Sequence, residues 1–193
     1  MLFCNFEKSY AIIKRKYMLL IFLKSYRKCD EISKELFEGA YFMTKILFVC
    51  HGNICRSPMA EFVMKDLVRQ AGLAWKYEIT SAATSSEELG NPVYPPARRK
   101  LAEHGLSCAG KTARRMTRQD YEDYDLLIGM DRMNDRNMHR ICGEDPEGKI
   151  HLLMDYTDHP GEVADPWYTG DFEETWQDVN KGCKGLLAYL EEN

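Results

Sequence analysis

The stretch Val49-Cys50-His51-Gly52-Asn53-Ile54-Cys55-Arg56-Ser57-Pro58 gathers residue types that can do chemistry together. Cys50 offers a sulfur nucleophile, and Arg56 offers a planar fork of donors that matches two phosphate oxygens at once. Gly52 and Asn53 tolerate positive φ, and a loop coiling through such conformations turns successive backbone N–H groups inward as an anion nest. Ser57 reads as the N-cap and Pro58 as the first residue of a following helix, whose positive end would sit behind the nest and favour a thiolate. The chemistry this predicts is attack of Cys50 on a phosphoryl group held by Arg56 and the amides of His51, Gly52, Asn53, Ile54 and Cys55.

Such an attack expels an alkoxide or phenolate, which needs a proton as it leaves. The donor should be a carboxylic acid on a different loop, facing the nest. Asp165-Pro166-Trp167-Tyr168 is the candidate: Pro166 would hold Asp165 extended, and Trp167 and Tyr168 could wall a cleft around a flat substrate ring.

These loops must be positioned by regular elements. The apolar run Lys45 to Val49 predicts a buried strand, and Met59, Phe62, Val63, Leu67 and Val68 recur at helical spacing until Gly72. Tyr77 to Ser81 alternates as a second strand that Ala82-Ala83-Thr84 leaves, and a long loop from Ser85 to Pro96 follows. A helix is expected from about Pro96 to His104. Lys111, Arg114, Arg115 and Arg118 form a basic stretch, read as a solvated face slightly ahead of a docking surface for acidic substrate. Tyr124 to Met130 and Lys149 to Met154 predict third and fourth strands, with a helix opening at Asp131 and a last one from about Asp171 to Glu191. Strands alternating with helices imply an α/β fold: a four-stranded parallel sheet, doubly wound, with helices on both faces. In such a sheet the site belongs at the carboxyl ends of the strands, where Cys50, Ser81 and Asp131 fall.

The bulk numbers agree with one soluble domain in 193 residues, 45% hydrophobic and 29% charged. Residues 1–42 carry eight Lys/Arg against five Asp/Glu, leaving the remainder at 18 against 25, an acidic balance that argues against nucleic acid as partner. Seven cysteines at irregular spacing, one of them a proposed nucleophile, fit a reducing cytoplasm better than a disulfide scaffold. No metal is expected, since Cys50 and Cys55 lack a second close pair and His139 with Cys142 stands alone. Residues 1–42 read as an extension to a domain spanning 43–193. The run Tyr17 to Leu23 is too short to span a bilayer and could belong to an amphipathic membrane or partner helix. The preferred reading is an upstream leader translated in frame, because Glu38-Gly39 is encoded by a purine-rich run shortly before Met43, as at a bacterial ribosome-binding site.

From about Met43 to the C-terminus the sequence resembles the low-molecular-weight protein tyrosine phosphatases, bacterial type. The resemblance rests on the string Val49 to Pro58 and on Asp165 to Tyr168. It implies hydrolysis of phosphotyrosine in protein substrates through a phosphocysteine intermediate, without cofactor or metal. Cys50 would attack, Arg56 bind the phosphoryl oxygens and Asp165 act as general acid. Asn53 would order the nest, Ser57 help the thiolate leave, Ser81 join a supporting hydrogen-bond network, and Asp131 lie near the arginine. Cys55 matches a second loop cysteine able to form a protective disulfide with Cys50. Two positions depart from the pattern: Gly110 where a network histidine is common, and Glu87 where many members have a rim aromatic. Relatives also divide into phosphotyrosine and phosphoarginine phosphatases, and the resemblance suggests that Ile54, rather than threonine, goes with tyrosine. A thioredoxin-coupled arsenate reductase would need a further redox pair, which Cys108, Cys142 and Cys183 do not form by spacing. A non-catalytic phosphate-binding module would be expected to lack Cys50, Arg56 or Asp165.

Overall fold

The computed structural model describes residues 43–192, so the expectations for residues 1–42 lie outside the described residues. Four strands form one sheet in the order β2-β1-β3-β4, every neighbour parallel: β1 Thr44–Cys50, β2 Tyr77–Ala83, β3 Leu126–Gly129 and β4 Ile150–Leu152. The helices are α1 Arg56–Gln70, α2 Pro95–Glu103, α3 Arg118–Asp123, α4 Arg132–Cys142, α5 Pro166–Thr169 and α6 Phe172–Glu192.

Alternation along β1 sorts the core into two layers. Ile46 and Phe48 point to one face, where α1, α2 and α6 cover them with Met59, Val63, Leu101, Trp176, Val179 and Leu186. Leu47 and Val49 point to the other, where Met116, Tyr121, Met138 and Cys142 from α3, α4 and the chain before α3 pack. All four β1 residues are fully buried, which is why this run reads as continuously apolar.

Several strand boundaries differ from the sequence reading. β2 runs on through Ala83, because Ala82 and Ala83 pair with Val49 and Cys50 and the Ala83 amide donates to the Arg114 carbonyl at 2.8 Å. The fourth strand stops at Leu152, where the Asp155 carboxylate accepts from the Leu152 amide and winds Leu153–Tyr156 into a 3₁₀ turn. The third is shorter at both ends; Met130 leaves the ladder with its amide donating to the Asn134 side chain. The helix α3 was not anticipated, although Thr117-x-x-Asp120 is a capping signature and Asp120 accepts from the Thr117 amide at 2.7 Å.

The 3₁₀ turn docks against α6 where that helix is narrowest. A Cβ at Gly185 would fall inside the van der Waals envelope of the Tyr156 carbonyl, whereas one at Gly182 would meet only the Leu153 side chain. Gly185→Ala is therefore expected to destabilise by about 1–3 kcal/mol, a loss of roughly 3–10 °C in melting temperature, and Gly182→Ala by less, since a side chain can rotate away. Thermal unfolding of the two variants checks this; a melting temperature unchanged in Gly185→Ala would mean the turn and helix are not so close.

Candidate active site

Cys50 ends β1 and the following loop doubles back over it. The Thr84 and Ser85 amides, just beyond β2, donate to the carbonyls of Cys50 and His51 at 2.9 and 3.0 Å and fix the loop's first turn. Asn53 has φ +57°, the one positive value outside glycine among the described residues. That conformation aims its amide at the Cys50 Sγ, 3.3 Å away. Gly52 does not share it, contrary to expectation; glycine suits the position because a Cβ would come within 3.2 Å of the Glu88 side chain. Ser57 is also not the N-cap. The helix begins at Arg56 after Cys55, leaving Ser57 in its first turn with its hydroxyl 3.0 Å from the Cys50 Sγ. Pro58 follows within the same turn, where the amide it lacks would have no intrahelical partner.

Arg56 is 3% exposed and spans two carboxylates: Nη1 donates to Asp131 Oδ2 at 2.6 Å and Nη2 to Asp165 Oδ2 at 2.5 Å. Burial disfavours the guanidinium charge, but the negative charges of Cys50, Asp165 and Asp131 outweigh it and hold Arg56 protonated above its usual range. Asp131 has a second task, capping α4 by accepting from the Asn134 amide at 2.6 Å. Asp165 caps α5 through its other oxygen, which accepts from the Trp167 amide at 3.1 Å, and its backbone is extended as Pro166 requires. An open groove of about 410 Å³ adjoins Arg56, Asp131, Asp165 and Tyr168. Trp167 and Tyr168 are exposed, and Tyr94, not anticipated, packs against Trp167 with ring centroids 5.6 Å apart.

Behind the loop, Asn53 Nδ2 donates to Ser81 Oγ at 2.7 Å and to Ser57 Oγ at 2.9 Å. Ser81 donates to Glu61 Oε2 at 2.6 Å, and Lys111 Nζ lies 2.9 Å from the same oxygen. The sequence thus brings Cys50, Asn53, Arg56, Ser57, Ser81, Asp131 and Asp165 together at the carboxyl ends of β1, β2, β3 and the loop after β4.

The family model for low molecular weight phosphotyrosine protein phosphatase matches residues 45–193. The chain belongs to the low-molecular-weight protein-tyrosine-phosphatase family. It is 39% identical over 152 residues to the Bacillus subtilis low molecular weight protein-tyrosine-phosphatase YfkJ, covering 78% of this chain and 97% of that protein, and 37% identical over 147 residues to the rat enzyme, covering 74% and 92%. Among solved structures, the YfkJ crystal structure superposes with a TM-score of 0.74 over 78% of this chain and 96% of its own, at 39% identity. The Entamoeba histolytica protein tyrosine phosphatase, crystallised with Hepes in its active site, gives 0.72 over 77% and 97%, at 32% identity. As a member, the chain is a hydrolase of phosphate monoesters with the four-stranded α/β architecture of its relatives.

Within this phosphatase the departures acquire a geometry. Gly110 turns the chain with φ +80°, and the next residue, Lys111, enters the network. Lys111 and Arg114 are therefore not the solvated or docking face that the basic stretch suggested. Lys111 is largely buried against Glu61, and Arg114 forks onto both oxygens of Asp120, while Arg115 and Arg118 remain exposed. Glu61 was missed, yet it left a signal: a carboxylate one helical turn after Ser57, among Met59, Ala60, Val63 and Met64 on the buried face of α1. At the rim, Glu87 Oε2 lies 3.0 Å from His51 Nε2. Ile54 forms an apolar floor with Cys55 and Ala113, against which Tyr94 and Phe172 pack.

Cys55 is a free thiol whose pKa is pushed up to about 12, first by burial and then by the neighbouring Cys50 and Asp165 charges. Cys50 is therefore the sulfur that peroxide should oxidise. Attack of the Cys55 sulfur on that sulfenic acid would release water and close the disulfide that the family pattern suggests. Mild peroxide is expected to inactivate reversibly, with dithiothreitol restoring activity. Peptide mapping that found sulfonic acid at Cys50 and no crosslink would rule this out. Among the described residues the other thiols, Cys108 and Cys183 in one core layer and Cys142 in the other, are all free rather than bridged.

Proposed function

We propose that this phosphatase hydrolyses phosphotyrosine in protein substrates, with Cys50 as nucleophile, Arg56 and the loop amides as the phosphoryl cradle, and Asp165 as general acid. The observation that carries the assignment is the arrangement around one sulfur: Cys50 faces the Asn53 amide and the Ser57 hydroxyl, beside a buried guanidinium whose other edge holds Asp165. A phosphoryl dianion entering the loop would take over the Arg56 donors now held by Asp165 and release that carboxyl toward the leaving oxygen. With Asp165, freed from Arg56, bearing a proton drawn from solvent, the thiolate attacks in line, the P–O bond breaks, and the departing phenolate takes that proton. Asp165, now ionised, takes a proton from the water that attacks the phosphocysteine, and Ser57 stabilises the thiolate as it leaves. Trp167, Tyr168 and Tyr94 would flank the substrate ring. A reducing, cytoplasmic setting is the compartment this chemistry needs, and the described cysteines are free thiols.

Phosphotyrosine is favoured over phosphoarginine by Ile54, 8% exposed in its apolar cluster. A branched apolar side chain can pack against a phenyl ring but gives a guanidinium no partner, and an unpaired polar group there costs about 1–3 kcal/mol. We expect kcat/KM for a phosphotyrosine peptide to exceed that for the matched phosphoarginine peptide, and Ile54→Thr to move the ratio toward arginine. Faster phosphoarginine hydrolysis by the wild type would overturn the substrate while leaving the mechanism standing. Failure to turn over p-nitrophenyl phosphate in excess chelator would overturn the mechanism itself.

A further inference from the structure

The side chain of Glu61 is 5% exposed, in the hydrophobic face of α1, where a carboxylate is costly unless partnered. Its partners are unusually complete. Oε2 faces Lys111 Nζ at 2.9 Å and accepts from Ser81 Oγ at 2.6 Å; Oε1 accepts from Lys65 Nζ at 2.5 Å. Lys111, 13% exposed, also donates to the Ser81 carbonyl at 3.0 Å, so it ties the carboxylate to the end of β2. An ion pair of this kind adds little net stability, because desolvation offsets most of the attraction. What it supplies here is direction.

We propose that the Lys111–Glu61 pair sets the hydrogen-bond polarity of the phosphate loop, making Lys111 and Glu61 positioning residues for the reaction at Cys50; this rests on the phosphatase reading above. An ionised carboxylate can only accept, so the Ser81 hydroxyl must donate to Glu61. Ser81 Oγ is then the acceptor for Asn53 Nδ2. The Asn53 amide cannot turn over, because its Oδ1 accepts from the Arg114 amide at 3.2 Å. Its second Nδ2 hydrogen goes to Ser57 Oγ, which leaves the Ser57 proton to point at Cys50 Sγ, 3.0 Å away, in preference to the Ala82 carbonyl at 3.4 Å. Lys111 thus acts four groups away from the thiolate, through Glu61, Ser81, Asn53 and Ser57. Burial works against the Glu61 charge, but Lys111, Lys65 and Ser81 outweigh it and hold the carboxyl below its usual range, so the acceptor stays an acceptor.

The test uses the full chain with p-nitrophenyl phosphate turnover and, separately, binding of inorganic phosphate, which reads the cradle without the chemistry. Lys111→Met is expected to lower kcat by about tenfold while the phosphate Kd moves by less than about twofold, because the donors of Arg56 and the loop remain. Lys111→Arg, able to bridge Glu61 and the Ser81 carbonyl, should recover most of kcat. Ser57→Ala should cost much less in the Lys111→Met background than in wild type, since without the tie from Lys111 to the Ser81 carbonyl the chain no longer aims the Ser57 hydroxyl at the sulfur. Should Lys111→Met fail to fold, the double variant Lys111→Met/Glu61→Gln, which leaves neither charge unpaired, is expected to show the same loss in kcat. A folded variant with wild-type kcat, losses that multiply between Ser57 and Lys111, or phosphate affinity falling in step with kcat would each overturn the inference. Absence of turnover in wild type would instead overturn the phosphatase assignment.

Discussion

Cys50→Ser is expected to lower turnover by more than about 1,000-fold while the protein still binds inorganic phosphate. The substitution keeps the size and polarity of the residue and leaves the cradle intact: Asn53 keeps its conformation through Ser81, and Arg56 keeps its place through Asp131. What is lost is the nucleophile. A serine hydroxyl is far less acidic than a thiol, so amides and a guanidinium that stabilise a thiolate do not generate an alkoxide at neutral pH, and the contacts of the sulfur among the described residues are the Ser57 hydroxyl and the Asn53 amide, neither of them a base. Phosphate affinity should hold, because the donors of Arg56 and of the Asn53 amide remain in place. Stopped turnover measured against p-nitrophenyl phosphate, paired with calorimetric titration of phosphate, separates the two effects. Residual activity above about a tenth of wild type would make Cys50 the wrong residue, since a tenfold loss is only about 1.4 kcal/mol of barrier.

Much of this site is legible in the sequence because it is built from local signals. The loop announces itself as one string, with Asn53 supplying the positive φ; Asp165-Pro166 carries its extended backbone in the dipeptide, and Asp131 doubles as a helix cap. The parallel sheet follows from strands alternating with helices, and β1, buried on both faces, is apolar throughout. Where the reading failed, a tertiary partner decided the outcome. Ser57 looks like a cap, but its hydroxyl faces Cys50 and Asn53. Lys111 looks like part of a solvated basic run, and only the fold brings α1 and the turn after Gly110 together so that Glu61 can meet it. β2 outlasts its alternating pattern because β1 and the Arg114 backbone offer it hydrogen bonds that the pattern of side chains does not record. Tyr94 joins the aromatic wall for the same reason: its amide donates to the Ile54 carbonyl at 2.9 Å, although α1 and β2 lie between the two in sequence.

Asp165→Asn is expected to slow hydrolysis in proportion to how badly the leaving group needs a proton. Asp165 is held at the site by two anchors, the Arg56 guanidinium on one oxygen and the Trp167 amide on the other. An asparagine carbonyl can accept from either donor, so the loop should keep its place while the transferable proton disappears. General acid catalysis contributes typically 10²–10⁴-fold, and that contribution shrinks as the leaving oxygen becomes a better anion. Phosphotyrosine, whose phenol has a pKa of about 10, should therefore lose on the order of a hundredfold or more in kcat/KM, and p-nitrophenyl phosphate, whose phenolate leaves readily, distinctly less. The same substitution removes a carboxylate that competes with phosphate for Arg56, so phosphate binding should tighten even as turnover falls. A series of aryl phosphates decides the matter: the slope of log kcat/KM against leaving-group pKa should steepen in Asp165→Asn relative to wild type. Parallel lines, with an equal loss on every substrate, would remove Asp165 from the acid role and leave it as a partner of Arg56 alone.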